Sequence, residues 1–139
     1  MHRLALGLLL VLSLGGQVRA EEGSPVKVQV LNRTTTSWDG RLLPPYPAGQ
    51  PEVTILRIVI PPGVQLPLHK HPVINAGMLL RGTLTVTTAD QKVLHIKAGD
   101  GVVEVVDQWH FGKNDGTEPA EILVIYAGIQ GQPVTINKE

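Results

Sequence analysis

The sequence predicts an all-β protein with a single domain. No window after Ala20 has the i, i+3, i+4, i+7 apolar spacing of an amphipathic helix. Short runs rich in Val, Ile and Thr recur instead, and Gly, Pro, Asn and Asp separate them. Short strands with frequent turns are typical of a sandwich or a barrel, and periodicity alone does not decide between the two.

The first twenty residues have the pattern of a secretory signal peptide. A basic start precedes the apolar run Leu4–Leu14, which is too short to cross a bilayer as a helix. Cleavage is expected after Ala20, and the short run argues against the alternative of a retained membrane anchor. We therefore expect a periplasmic or secreted protein with no membrane segment after cleavage.

Composition excludes several kinds of partner and ligand. Without Arg3 and Arg19, the mature chain has ten Lys and Arg residues against twelve Asp and Glu residues, a net charge of −2. This charge gives no electrostatic basis for binding nucleic acid or anionic lipid. The sequence contains no cysteine, which excludes disulfides, thiolate metal ligands and a lipid-modified cysteine.

Residues 21–52 are predicted to form an N-terminal strand and a proline-rich arm. Valines alternate with polar residues over Val26–Val30, which is the pattern of a strand. Arg33–Pro51 contains four prolines and two glycines, a density that no helix or strand tolerates. The arm also carries Trp38 and Tyr46, two of the five aromatic residues in the chain.

Residues 53–139 are predicted to form the barrel. Val53–Ile60 is rich in β-branched residues and ends at the turn Pro61-Pro62-Gly63. Gly82 and Gly99 are expected to supply further turns. The remaining predicted strands are Ile74–Leu80, Thr83–Thr88, Val93–Ile96, Val102–Val106, Trp109–Phe111, Glu121–Tyr126 and Val134–Ile136.

Three of the five histidines have the spacing of a metal site. His69 and His71 are two residues apart, so on a strand both side chains point to the same face. His110 follows about forty residues later. Imidazole is the commonest protein ligand for transition metals, and this pattern therefore predicts a metal centre.

The spacing resembles the two motifs of the cupin superfamily. The first motif, G-x5-H-x-H-x3,4-E-x6-G, is matched by Gly63, His69, His71 and Gly82, with Asn75 where the family usually has Glu. Placing the acidic position at the next residue would break the six-residue step to Gly82, so Asn75 gives the better alignment.

The second motif, G-x5-P-x-G-x2-H-x3-N, is matched in part. Gly99, His110 and Asn114 agree with it, whereas Val105 replaces the usual Pro and Asp107 the usual Gly. The resemblance spans roughly residues 53–127 and implies a small single-domain (type-2) cupin. The fold it implies is a double-stranded β-helix, or jelly-roll barrel. It also implies a homodimer, so Trp38 and Tyr46 either cover the barrel mouth or contact a second subunit.

The resemblance implies one divalent transition metal, Fe, Mn, Ni, Cu or Zn, held by His69, His71 and His110. Asn75 would contribute a neutral carbonyl oxygen or a hydrogen bond to a metal-bound water. Cupin-like oxygenases that use three histidines without the carboxylate are known as a class. The alternatives are a polar lumen without metal, and a decayed site marked by Asn75.

Other polar residues are assigned less directly. Glu104 interrupts an apolar strand. If its side chain faced the lumen, it would be a catalytic base or a fourth metal ligand. Exposed glutamates are commoner, so we expect Glu104 to face outward. His95 lies outside both motifs and is expected to be structural. Arg81 is expected to be solvated, and Trp109 and Phe111 to point away from His110.

Two functions follow from these assignments. The first is an exported metal-dependent oxygenase acting on a small organic, possibly anionic, substrate. The second is a non-catalytic module that binds metal or a small ligand, as a sensor or carrier, because the carboxylate is missing and no general base is evident.

Overall fold

A computed structural model describes residues 26–139, and within that range the chain is all-β, as predicted. None of these residues belongs to a helix that could span a membrane. The predicted signal peptide lies outside the described residues. The strands are β1 (Pro51–Ile60), β2 (His69–Lys70), β3 (Ile74–Arg81), β4 (Thr83–Thr88), β5 (Val93–Lys97), β6 (Gly101–Val103), β7 (His110–Lys113), β8 (Ala120–Ile129) and β9 (Ile136–Asn137).

The strands form two antiparallel sheets. One has the order β1-β8-β3-β6 and the other β5-β4-β7-β2-β9. The longest pairing joins β1 to β8 in unbroken register from Pro51 opposite Ile129 to Ile60 opposite Ala120. These orders place strands distant in sequence side by side, so each sheet is built from both halves of the chain.

Alternation within each strand divides an inner from an outer face. In β4, for example, Leu84 and Val86 are buried while Thr83 is exposed and Thr85 only partly covered. The inner faces of both sheets form one apolar core, and the burial of its apolar side chains stabilises the fold. Its buried members are Ile60, Val73, Leu79, Leu84, Val86, Ile96, Val102, Ala120, Ile122, Val124 and Tyr126.

The predicted turn glycines adopt backbone conformations that require glycine. Gly63, Gly82 and Gly99 have φ values of +76°, +73° and +94°, in the region that side chains with a Cβ rarely enter. At Gly82 a Cβ would also lie 2.7 Å from the Pro119 carbonyl oxygen. This glycine therefore allows the β3–β4 connection to pass close to the start of β8.

The structure differs from the prediction at the N-terminus and at β6. Val26–Val30 does not form a strand, and its three valines are exposed. The strand predicted over Val102–Val106 ends at Val103. Beyond it the chain bends, and the Asp107 N–H donates to the His71 carbonyl at 2.8 Å.

The bend explains one departure from the second motif. Asp107 has a φ of +53°, in the left-handed region where the family usually places glycine. Asp tolerates this region better than most residues. The backbone conformation is therefore kept although the glycine is lost, and the Asp107 carboxylate gains an ion pair with Lys70 at 3.2 Å.

Asn114 fixes the loop that leads into β8. Its Nδ2 donates to the carbonyls of Ile60 (2.9 Å) and Glu118 (2.7 Å), and its Oδ1 accepts from the Gly116 N–H at 2.9 Å. The side chain is fully buried. The second-motif asparagine thus joins this loop to the end of β1.

We expect Asn114→Ala to lower the free energy of unfolding by about 2–4 kcal/mol, because three hydrogen bonds are lost and buried backbone groups are left unpaired. Urea unfolding would measure the change. The matched control is Asp115→Ala, which removes an exposed ion pair with Lys113 and a surface hydrogen bond with Thr85 and should change stability by less than about 1 kcal/mol. Equal losses in the two variants would contradict this role.

Candidate metal centre

Three buried imidazoles meet where β2 and β7 pair. His69 lies directly opposite His110 in the register, and His71 follows one residue after β2. The exposed fractions of His69, His71 and His110 are 8%, 6% and 2%. Their ring centroids are 4.5–5.0 Å apart, and one potential ligand atom from each lies within 4.8 Å of the others. We call these three residues the histidine cluster.

Backbone carbonyls fix the orientation of each ring. Nδ1 of His69 lies 2.7 Å from the Pro67 carbonyl, Nδ1 of His71 2.8 Å from that of Val134, and Nδ1 of His110 2.8 Å from that of Gln108. A carbonyl only accepts, so each Nδ1 carries the proton and each Nε2 keeps a free lone pair. Within residues 26–139, none of these three Nε2 atoms has a hydrogen-bond partner. This is the arrangement of metal-ligating imidazoles.

Burial favours the neutral form of His69 and His71, which is the form that binds metal. Desolvation is the main cause that lowers the pKa of His71 to about 4; the Val134 hydrogen bond opposes it, and the neighbouring His110 and His69 rings lower the pKa by smaller amounts. Burial is also the main cause that lowers the pKa of His69. The pKa shifts of His69 and His71 thus favour the uncharged form that can donate a lone pair to a metal.

A row of three polar residues faces the histidine cluster from the other sheet. Asn75 on β3 pairs with Tyr126 on β8, and the Glu104 N–H donates to the Asn75 carbonyl at 3.1 Å. Cross-strand neighbours point to the same face, and all three side chains line the central cavity. We call Glu104, Asn75 and Tyr126 the polar row.

Tyr126 brings the polar row into contact with the histidine cluster, and Asn75 lies beside Tyr126 in that row. The Tyr126 ring centroid lies 5.3 Å from that of His71, and burial, with a smaller effect of Glu104, raises the pKa of the tyrosine. Asn75 is 2% exposed, and its Nδ2 is buried without a hydrogen-bond partner. A buried donor without a partner is costly, so Asn75 Nδ2 is placed to donate a hydrogen bond to an oxygen atom of a bound group.

The expectation that Glu104 faces outward is wrong. Its side chain lines the cavity, and the residue is 9% exposed. Its Oε1 accepts from Trp38 Nε1 at 2.7 Å and from the Val105 N–H at 2.9 Å. The backbone N–H of Trp38 donates to the Val103 carbonyl, at the edge of the sheet formed by β6. The arm therefore supplies the donor that makes a buried carboxylate tolerable.

The other residues considered in the sequence lie away from the cavity. His95 is exposed and hydrogen-bonds Thr85, outside the cluster as expected. Arg81 is exposed and pairs with Glu118. Trp109 stacks under the ammonium groups of Lys70 and Lys138 on the outside. Of the two aromatic residues in the arm, Trp38 packs against the core, whereas Tyr46 is exposed.

The cavity between the sheets has a volume of about 240 Å³. Sequence reasoning missed several of its lining residues, among them Gly112, Tyr126 and Thr135. Strand parity could have identified Gly112, which lies two residues after His110, but no local signal marks Thr135. The lining residues are Leu56, Ile58, Ile60, Leu66, Pro67, His69, His71, Asn75, Gly77, Leu84, Val86, Val102, Glu104, His110, Gly112, Ile122, Val124, Tyr126, Thr135 and Asn137.

The donor set fits a divalent transition metal. Three neutral nitrogen atoms with free lone pairs converge, and a neutral amide and a carboxylate lie on the opposite wall. Nitrogen-rich sets of this kind suit Fe, Mn, Ni, Cu and Zn. His69, His71 and His110 would hold the ion, and Asn75 would hydrogen-bond a group beside it.

Fold and site define a small β-barrel protein with a buried three-imidazole centre. The family model of the cupin domain matches residues 56–126, just over half of the chain. The chain therefore belongs to the cupin family, and the double-stranded β-helix implied by its motifs is confirmed. No protein of curated function matches the chain.

Solved structures agree with this assignment. A Klebsiella pneumoniae protein with a double-stranded β-helix domain is 22% identical, with a TM-score of 0.55 over 67% of this chain and 89% of the other. An oxalate oxidase is 26% identical, with a TM-score of 0.53 over 61% and 45%. A DMSP lyase from Ruegeria pomeroyi is 19% identical, with a TM-score of 0.54 over 62% and 43%. The chain thus spans less than half of the oxidase and of the lyase.

We expect one metal ion per chain, held by the histidine cluster. Alanine at His69, His71 or His110 should weaken metal binding about tenfold or more, because each removes one of three Nε2 donors. His95→Ala is the control and should leave the affinity unchanged. Titration with Zn²⁺ followed by calorimetry measures the affinities, and equal losses at His95 would show that the wrong cluster has been chosen.

The metal-free protein should lose stability in mild acid because of His71. Its folded pKa of about 4 lies below the ordinary value of 6.5, so the unfolded chain takes up a proton first as the pH falls. The contribution is complete above pH 6.5 and is lost between pH 6.5 and 4, by about 3 kcal/mol.

His71→Gln is the control for this pH dependence, because it keeps a polar side chain but removes the titrating group. Urea unfolding at several pH values should show a shallower loss in the variant than in the wild type. The same loss in both proteins would mean that other groups, such as carboxylates, account for the acid sensitivity.

Proposed function

We propose that this protein is a metal-dependent oxygenase that acts on a small organic anion. The observation that carries the proposal is the convergence of three unpartnered imidazole Nε2 atoms on one wall of a cavity of about 240 Å³. A site that served only to hold metal would not need this space beside the ligands. The cavity thus supports a second, exchangeable occupant.

Glu104 favours an enzyme over a binding module. The case for a sensor or carrier depends on the lack of a carboxylate and of a general base. Glu104 supplies a carboxylate on the wall opposite the histidine cluster, and its Oε2 has no hydrogen-bond partner over the described part of the chain. An uncommitted carboxylate oxygen in a cavity is a suitable proton acceptor.

Each residue can be given a role in such a reaction. The metal, when bound, would supply Lewis acidity and a route for electrons. Glu104 Oε2 would take a proton from the substrate, while Trp38 holds Oε1 and so fixes the direction of the carboxylate. Asn75 Nδ2 would donate a hydrogen bond to a substrate oxygen. The apolar walls would exclude water from these groups.

The similar structures support metal chemistry on small molecules without selecting the reaction. An oxalate oxidase and a DMSP lyase share this fold, so related barrels carry different reactions. The preference for an oxygenase comes from the resemblance to cupin-like oxygenases that use three histidines without the carboxylate. The donor set supports an anionic substrate, since three neutral imidazoles leave the charge of a divalent ion to attract an anionic group.

The test is metal analysis of the purified protein, followed by oxygen uptake with a panel of small acids, phenols and diketones. We expect Glu104→Gln to lower turnover about 100-fold or more with unchanged metal content, because only the proton acceptor is lost. Glu118→Gln, on the surface beside Arg81, is the matched control. No uptake with any loaded metal would favour the non-catalytic module.

We also propose export to the periplasm or the medium. The basic start, the apolar run Leu4–Leu14 and the small residue Ala20 support it. The intact mass of the protein recovered after export should correspond to a chain that begins at Glu21. A mass that retains Met1–Ala20 would contradict the proposal.

The homodimer stays a prediction. The outer face of β1 and β8 carries exposed apolar side chains, among them Val53, Ile55 and Val59, with Ile125 opposite Ile55. Apolar surface of this kind is suited to contact with a second subunit.

A further inference from the structure

We infer that the molecule bound in this cavity is amphipathic: a singly charged oxygen-containing head group joined to an apolar body about the size of a benzene ring or a short alkyl chain. The inference rests on the proposed function and specifies its substrate class. It follows from the change of the cavity walls from polar to apolar side chains along the strands.

The polar groups are confined to one end of the cavity. On the inner face of the four-stranded sheet, a second row of side chains runs parallel to the polar row. It lies two residues along each strand, about 7 Å away. These positions hold Val102, Gly77 and Val124, and the register joins Gly77 to both of the others. The second row thus has no polar side chain.

The other sheet changes in the same direction. His110 is opposite Thr88, whereas Gly112, two residues on, is opposite Val86. Leu84 and Leu66 lie beyond, 3.5 Å and 3.6 Å from where a Cβ on Gly112 would be. Both sheets therefore turn from polar to apolar at the same level, and the apolar end is lined by Leu56, Ile58, Ile60, Leu66, Leu84, Val86, Val102, Ile122 and Val124.

The size of the cavity indicates the size of the apolar body. An engineered apolar cavity of about 150 Å³ holds benzene. The cavity of about 240 Å³ found here has room for such a body and for a head group beside the histidine cluster. A ligand limited to the polar end would leave the apolar surfaces without contact.

Charge indicates the head group. A divalent ion on three neutral imidazoles carries +2, and the Glu104 carboxylate on the facing wall reduces the local charge to +1. That charge complements one negative charge and disfavours a dianion. The buried Asn75 Nδ2 lacks an acceptor, which an oxygen of the head group would supply. Oxalate, with two charges and no apolar part, is a poor match.

The experiment titrates Zn²⁺-loaded protein with acetate, butanoate, hexanoate, benzoate and oxalate and measures affinity by calorimetry. Zn²⁺ is chosen because it is redox-inert, so binding is measured without turnover. Affinity should rise about three- to fourfold per methylene from acetate to hexanoate, as expected for burial of apolar surface. Hexanoate and benzoate should bind more tightly than oxalate. Affinity that is independent of chain length, or tightest for oxalate, would overturn the inference.

Variants locate the apolar body. Gly112→Ala adds a methyl group at ordinary contact distance from Leu84, and Val124→Leu, which serves if the first variant does not fold, adds one on the facing wall. Each should weaken hexanoate binding at least about fivefold and leave acetate unchanged. Ile125→Leu, the next residue on β8 but on its exposed face, is the control. Equal effects on acetate and hexanoate would contradict the placement.

The metal-free protein separates this inference from the proposed function. Benzene should bind to it and perturb the NMR signals of Val86 and Val124, because the apolar end needs no metal. Benzene binding in a protein that takes up no metal would refute the metal enzyme and retain the apolar subsite. Metal binding without a response to benzene or to chain length would refute the subsite and retain the metal centre.

Discussion

Three hydrogen bonds from imidazole Nδ1 to backbone carbonyls are the constraint on which the site depends. They set the tautomer of each ring and turn each Nε2 toward the cavity. For His69 and His110 the carbonyl belongs to the residue two positions earlier, just before the strand begins, so the local backbone provides it. For His71 it belongs to Val134, in the C-terminal segment. Two ligands are therefore positioned locally, and the third requires that this segment pack beside β2.

The wall that faces the histidine cluster depends on a contact between residues that are far apart in the sequence. A carboxylate at Glu104 is costly to bury unless it is hydrogen-bonded, and its main partner, Trp38, is 66 residues away in the N-terminal arm. The arm reaches this position by pairing with the open edge of β6. It has little regular structure, yet it covers an edge strand and also positions a charged group in the site. Folding of the arm and completion of the polar row are thus coupled.

Local patterns in the sequence predicted most of the barrel and the metal ligands. Apolar and β-branched runs located eight of the nine described strands to within about three residues at each end. The spacing of His69, His71 and His110 identified the cluster, since strand parity is a local property. What failed was non-local. The orientation of Glu104 depends on a distant tryptophan, and Val26–Val30 has strand alternation, yet its valines are exposed and form no strand. Asp107 illustrates the same limit, because its positive φ is imposed by the bend that brings its N–H to the His71 carbonyl.

The apolar end of the cavity also acts on the polar end. Surfaces such as Val124 and Val86 exclude water, which lowers the local dielectric and strengthens every charge interaction among the histidine cluster, Glu104 and a bound ion. The same desolvation lowers the pKa of His71 and raises that of Tyr126. Apolar residues that contact no ligand atom thereby favour the neutral form of His69 and His71. Differences in such apolar rows can therefore change the substrate class of a barrel while its three histidines stay the same.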